Sequence, residues 1–310
     1  MPGTILVTGA AGFAGSHLLD LLAGADANIV AWRRPGTTPV RKLPGTRWEE
    51  VDLLDAAAVM TAIGRIRPSA VYHCAGAAHV GRSWDATWET FATNVHATHY
   101  LLEALEQTGS AARVMIPSSA LVYAPSTVPL TEEHAVLPDS PYGLSKLAQE
   151  MLGERTSGSL TVTIARSFNH FGPRQDPQFV ASSFARRIAE IEKGRCEAEI
   201  AVGNLEAHRD LTDVRDTVRA YRLILERGQA RRHYNVCSGR AIAIRRLLDL
   251  LIVRARVAVR VTVDPARYRP NDARLLVGDA ARLHTELGWT PAIPLEQTLD
   301  DLLEYWRAQP

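Results

Sequence analysis

Gly9-Ala-Ala-Gly12-Phe-Ala-Gly15 follows the apolar run Ile5-Leu6-Val7-Thr8 and opens the helical pattern Ser16–Ala23. A strand passing into a helix through small residues brings the backbone close to whatever sits at the turn. It also leaves the first helical N–H groups and their positive partial charge facing outward. That context makes the loop a pyrophosphate cradle, with Gly9, Gly12, Phe13, Ala14 and Gly15 as candidate cofactor contacts. The rest of the first half is consistent with such a turn. Asn28–Trp32, Trp48–Val51, Ala70–Cys74, Val114–Ile116 and Leu160–Ala165 read as strands, and helical patterns separate them. Of those patterns, Trp84 to Gln107 reads as one long helix and Tyr142–Arg155 as another. Strand–helix alternation predicts a doubly wound parallel sheet, an α/β Rossmann arrangement with ligands beyond the carboxyl ends of the strands.

After about residue 166 the pattern loosens into loop chemistry at Phe168–Pro173 and Pro177. Val180–Glu192, Ile244–Val253 and Leu295–Trp306 then read as helices, and Glu197–Val202 and His233–Val236 as strands. The expected division is residues 1–166 as a nucleotide-binding domain and 167–310 as a smaller C-terminal α/β substrate-binding lobe. A segment at about 203–240 is expected to return to the first domain.

Composition narrows the function. The 310 residues carry a net charge of +1, with 46% hydrophobic and 22% charged residues. That balance offers no footprint for nucleic acid or anionic membrane. The apolar stretch Leu247 to Val263 is broken by Asp249, Arg254, Arg256 and Arg260, so no membrane span is expected. Cys74, Cys196 and Cys237 form no disulfide framework or metal-ligand spacing, and His96 with His99 lacks partner ligands. No metal site and a cytoplasmic location are the expectations.

The chemistry centres on Tyr142-Gly-Leu-Ser-Lys146. Four residues apart on a helix, the phenol and the ammonium share a face. The ammonium is expected to lower the tyrosine pKa and so to supply a proton donor or acceptor near neutral pH. The end of the second strand, Ala31-Trp32-Arg33-Arg34, has no acid until Glu49. Arginines there suit a 2′-phosphate, so NADP(H) is preferred over NAD(H), unless the two are simply solvated before the Pro-Gly turn. Asp52 and Leu53 are placed to contact adenine, although Asp52 could instead cap the helix near Asp55.

Longer strings make the chain resemble the extended short-chain dehydrogenase/reductases acting on nucleotide sugars. It is most similar to the GDP-4-keto-6-deoxy-D-mannose reductases and the related GDP-mannose 4,6-dehydratases. The strings are Arg166–Arg174, Val202–Asp216, Tyr234–Gly239, Arg269–Asp279 and Leu287–Pro291. The resemblance implies a catalytic triad of Ser119, Tyr142 and Lys146. Ser119 is chosen over Ser118 because it lies four positions before the tyrosine of Val122-Tyr123-Ala124. Asn94 matches an asparagine near the catalytic helix that braces it and orders a water, and Ala75 is expected at the cofactor. Arg209, Arg269 and Asn169 match positions that bind the diphosphate, and arginine forks suit phosphate oxygens. Asp272 would orient Arg269. Val180 and Phe184 are expected in the nucleobase slot or, equally, in the core. The resemblance also implies a homodimer through Trp84–Gln107 and Tyr142–Arg155, with Trp84, Trp88, Phe91 and Tyr100 either on that face or packed on the sheet.

Two positions separate the reactions open to this family. Dehydratases carry a Glu two residues after the catalytic Ser/Thr, sometimes after an Asp, whereas this chain has Ala120-Leu121 and no acid between Arg113 and Thr131. Elimination needs that extra proton carrier, while hydride transfer to a carbonyl needs only the triad. The reading is therefore reduction of GDP-4-keto-6-deoxy-D-mannose to GDP-D-rhamnose with NADP(H). A 4,6-dehydratase, a 4-epimerase and a non-catalytic chain of the same fold are the alternatives.

Overall fold

The computed structural model describes residues 3–39, 43–267 and 275–310. β1 (Thr4–Thr8), α1 (Phe13–Leu22), β2 (Asn28–Arg33), β3 (Thr46–Glu50), α2 (Ala56–Ile66) and β4 (Ala70–His73) open the chain. α3 (Val80–Asp85), α4 (Thr87–Phe91), one π turn (Ala92–His96) and α5 (Ala97–Gln107) follow, then β5 (Arg113–Ser119), α6 (Pro141–Glu154) and β6 (Thr161–Ser167). Next come β7 (Asn169–Phe171), α7 (Val180–Glu192), β8 (Glu199–Val202), β9 (His208–Asp213), α8 (Val214–Arg227) and β10 (His233–Val236). The remainder is β11 (Ala241–Ala243), α9 (Ile244–Val253), β12 (Arg260–Val263), β13 (Leu275–Leu276), α10 (Ala281–Leu287) and α11 (Leu295–Ala308).

Seven strands form one parallel sheet in the order β3-β2-β1-β4-β5-β6-β10. Its central strands are buried on both faces, as continuous Val/Ile/Leu runs require. Leu18, Leu19, Val218, Tyr221 and Trp289 cover one face, and Ile63, Leu101, Leu105 and Val59 the other. The chain leaves β1 toward β2 and later leaves β4 in the opposite direction. The crevice this reversal opens lies at the carboxyl ends of β1 and β4, where Gly9 and Ala75 sit.

A smaller layer holds β9 between β11 and β13, with β7 also on β9, and a separate β8–β12 pair. Its core packs Phe184, Ile188, Leu247, Leu251, Leu299 and Leu302 from α7, α9 and α11. β10 and α8, late in sequence, pack with the large sheet.

The single helix expected over Trp84–Gln107 is three helices and a π turn. Ala86, at φ −126° and ψ 52°, breaks it between α3 and α4. β9, α8, β11 and α10 are elements that hydropathy patterning alone did not mark. Among the described residues no helix is long and apolar enough to cross a membrane.

Candidate active site

Gly9 carries φ +63°, and a Cβ there would lie 2.5 Å from the Ala75 amide nitrogen, so only glycine fits between the ends of β1 and β4. Gly12 N-caps α1 with no side chain capping the first turn and no acid in it. The end of the helix is thus left to a ligand, and an anionic pyrophosphate matches it. Phe13 stacks on His170, ring centroids 5.8 Å apart and 5° from parallel, which ties the glycine loop to β7.

α6 starts with Ser140 accepting from the Gly143 amide at 3.1 Å and with Pro141 in its first turn. A Cβ on Gly143 would lie 2.4 Å from the Leu121 carbonyl oxygen, so glycine lets the helix start close to the strand end that carries Ser119. Ser119 accepts from the Leu121 amide at 3.2 Å, and its hydroxyl lies near enough to the Tyr142 phenol to favour the ionised form. Burial holds the Tyr142 phenol above its ordinary pKa, and the Ser119 hydroxyl pulls it back only in part. This corrects the sequence expectation. Burial outweighs the pull expected from Lys146, whose Nζ, one turn on, donates to Gln149 Oε1 at 2.7 Å. Burial drops the Lys146 ammonium to about 8, against the opposing pull of Glu150 and Cys74.

Asn94 sits in the π turn, the kind of helix insertion that often re-aims a functional side chain. It is fully buried. Its Oδ1 accepts from the Ala77 amide at 2.8 Å, and its Nδ2 donates to the Ala77 carbonyl at 3.2 Å and to Ser145 Oγ at 2.9 Å. It therefore braces α6 and the loop after β4 rather than presenting a donor to the crevice. On α6 itself, Glu150 receives a bidentate bond from Arg166 at 3.0 and 2.7 Å, with both side chains buried. Burial pushes the Glu150 carboxyl up, but the neighbouring His233 ring and the Arg166 guanidinium outweigh it and hold it at about 2.

At the adenosine end, Arg33 is half-buried and Arg34 is exposed. β2–β3 pairing sets Arg33 opposite Glu50, and the two form an ion pair. Sequence spacing hid this acid, since pairing across strands brings it in rather than neighbourhood along the chain. Asp52 bonds the Leu54 amide at 3.0 Å, while Asp55 caps α2 through Ala58 at 3.0 Å, so Asp52 is not the cap. Leu53 packs on the α2–α5 side of the core.

The substrate-side residues separate. Asn169 is exposed at the start of β7, and Arg209 is half-buried on β9 with Nη1 donating to the His208 carbonyl at 2.9 Å. Val180 stands 40% exposed on the first turn of α7, whereas Phe184 is 7% exposed inside the lobe core. The apolar i,i+4 pair is thus split, and Phe184 is a packing residue. Arg269 and Asp272 lie outside the described residues. Ala120 is buried and Leu121 half-buried, so neither brings a proton carrier to Ser119.

A glycine turn at the switch point of a parallel sheet, with serine, tyrosine and lysine gathered beyond the neighbouring strands, defines an NAD(P)-dependent short-chain dehydrogenase/reductase. Residues 6–302 match the GDP-mannose 4,6 dehydratase family, and the chain belongs to it. GDP-6-deoxy-D-mannose reductase from Pseudomonas aeruginosa is 36% identical, over 100% of this chain and 99% of that protein. The structure of RMD from Pseudomonas aeruginosa complexed with NADPH superposes with a TM-score of 0.86 at 33% identity, covering 99% of each chain. The UDP-glucose 4-epimerase of Thermotoga maritima, solved with UDP-glucose, gives 0.87 at 28% identity, with 98% of each covered.

Proposed function

We propose that the protein is an NADP(H)-dependent reductase that converts GDP-4-keto-6-deoxy-D-mannose to GDP-D-rhamnose. The observation that carries this reading is the Ser119–Tyr142 pair standing beside Ala120 and Leu121, with carbonyl-binding hydroxyls present and no second proton carrier for elimination. The similarity to a GDP-6-deoxy-D-mannose reductase and to an NADPH complex supports it. The residues fit the dinucleotide. The uncapped start of α1 takes the pyrophosphate, Arg33 and Arg34 take a 2′-phosphate, and Lys146 takes the nicotinamide ribose. When bound, NADPH supplies the hydride to C4.

The chain does the rest. Ser119 and Tyr142 donate hydrogen bonds to the C4 carbonyl oxygen, where negative charge develops. Tyr142 then gives up its proton to that oxygen. A phenol that burial keeps protonated suits a reaction run in the direction of reduction, in which the tyrosine must begin as an acid. Lys146 stabilises the phenolate left behind. Asn169 and Arg209 are assigned to the diphosphate and Val180 to the rim of the base slot, and Arg269 is assigned by resemblance alone.

Residues 1–166 act as the cofactor domain and 167–310 as the substrate lobe, with about 203–240 returning to the first. Trp84 at 52% and Trp88 at 69% exposed, with Leu144 and Met151 half-exposed on α6, form an apolar face suited to a second copy, so a homodimer is proposed. Three free thiols favour the cytoplasm.

The test offers the purified protein GDP-4-keto-6-deoxy-D-mannose with NADPH or NADH. NADPH oxidation faster than NADH oxidation is expected, and NMR of the product separates GDP-D-rhamnose from its C4 epimer, GDP-6-deoxy-D-talose. Dehydration of GDP-mannose, or epimerisation of a UDP-sugar, without net NADPH use would overturn the proposal.

A further inference from the structure

Behind Lys146 runs a buried chain of polar groups that the reaction as written does not use. Gln149 is fully buried one turn along α6; its Oε1 accepts from Lys146 Nζ at 2.7 Å and its Nε2 donates to Thr98 Oγ1 at 2.6 Å. Thr98 spends its one hydroxyl proton on the Asn94 carbonyl at 2.6 Å. His73 Nε2, 2.9 Å from Thr98 Oγ1, must therefore be the donor, which leaves Nδ1 to accept from Thr8 Oγ1 at 2.9 Å. Thr8 in turn accepts from the Ala75 amide at 3.2 Å, the same amide that crowds Gly9.

Every proton in this chain has one place to go. A reversed Gln149 amide would set its NH2 against the ammonium and its oxygen against a threonine with no proton left to give. A protonated His73 would force the Thr8 hydroxyl to turn its proton away from Nδ1, and burial together with Lys146 holds that ring near 3, neutral at any working pH.

We propose that Gln149 is the positioning residue for Lys146, fixing one of its three N–H donors and leaving two for the ribose of the bound dinucleotide. A neutral amide does this without cancelling the charge. The titratable groups facing the ammonium are Tyr142 and Glu150 on its own helix and His73 and Cys74 at the end of β4. Of these, His73 is neutral, burial keeps the Cys74 thiol protonated up to about 12, and Glu150 is shared with Arg166. A carboxylate at position 149 would instead have neutralised the positive charge that Tyr142 needs nearby when it gives up its proton. The role given to Lys146 rests on the reductase reading; its placement by Gln149 does not.

The test titrates Lys146 directly in the ligand-free protein, by pH-dependent acetylation read as peptide masses, in wild type, Gln149→Met and Gln149→Glu. Wild type is expected to titrate near 8. Losing a charge-assisted acceptor lowers the midpoint in Gln149→Met by about one pH unit, and the added charge in Gln149→Glu raises it by a similar amount. The alkaline limb of NADPH oxidation shifts in the same two directions. Unshifted Lys146 midpoints in both variants overturn the proposal, whichever substrate the enzyme uses. Should Gln149→Met fail to fold, Gln149→Asn withdraws the amide by one methylene and must lower the midpoint too; a wild-type midpoint there overturns the proposal equally.

Discussion

Glu150→Gln removes the charge from a buried carboxylate while keeping its shape, and leaves the Arg166 guanidinium without a counter-ion. Two independent routes give the cost. Breaking one partner of a buried ion pair costs about 3–5 kcal/mol. The gap between an ordinary carboxyl at 4.5 and Glu150 at about 2 corresponds, at about 1.4 kcal/mol per pKa unit, to about 3 kcal/mol. With an unfolding entropy of about 2.1 cal/mol/K per residue over 310 residues, that lowers the melting temperature by about 5 °C. The pH dependence has a definite sign. The folded carboxyl lies below its unfolded value, so its contribution is complete above about 4.5 and fades as pH falls toward 2. At pH 4 about 1 kcal/mol of the difference between wild type and variant should already be gone. Denaturant titrations of both proteins at pH 7.5 and pH 4, with calorimetry at pH 7.5, measure each number. A melting temperature within about 1 °C of wild type, or a gap unchanged at pH 4, would refute the account of this pair.

Tyr142→Phe should lower kcat by about 10²–10⁴-fold and leave the NADPH dissociation constant, read by fluorescence titration, where it is in wild type. Gly9→Ala places a methyl against the Ala75 amide at positive φ, so NADPH binding should be lost in the same titration. Glu50→Gln frees Arg33 from its ion pair; NADPH should bind about 2–5-fold more tightly and NADH unchanged, and an equal effect on both would contradict the 2′-phosphate assignment. Leu144→Arg with Met151→Arg should convert a dimer to monomer by light scattering, while Lys146 titrates as before.

Much of the nucleotide half was legible because its strands are buried on both faces and its turns carry their own chemistry. Leu6, Val71 and Val114 mark strands by run length, and Gly9 marks the turn. Other features depended on contacts between distant segments. The break at Ala86 and the π turn at Asn94 serve bonds to Ala77 and Ser145, which helical periodicity does not encode. α8 begins at the residue after β9 with no loop between, and the buried Asp216 and Thr217 interrupt its apolar stripe. Glu50 meets Arg33 through strand register, and Gln149 meets Lys146 one turn away, in a helix position where glutamine ordinarily faces solvent. The lowered tyrosine pKa was expected from spacing alone; burial reversed it.

The last strand of the large sheet, β10, comes from residues 233–236, while the strand it pairs with ends at Ser167. On the ribosome, β6 therefore emerges with a bare edge and waits for the whole of α7 through α8 to be made before its partner arrives. An exposed run such as Val162, Ile164 and Ala165 is a ready template for another chain during that interval. Cutting the chain after residue 166 would make the wait permanent, so the part that cradles the dinucleotide cannot be lifted out as a free-standing module.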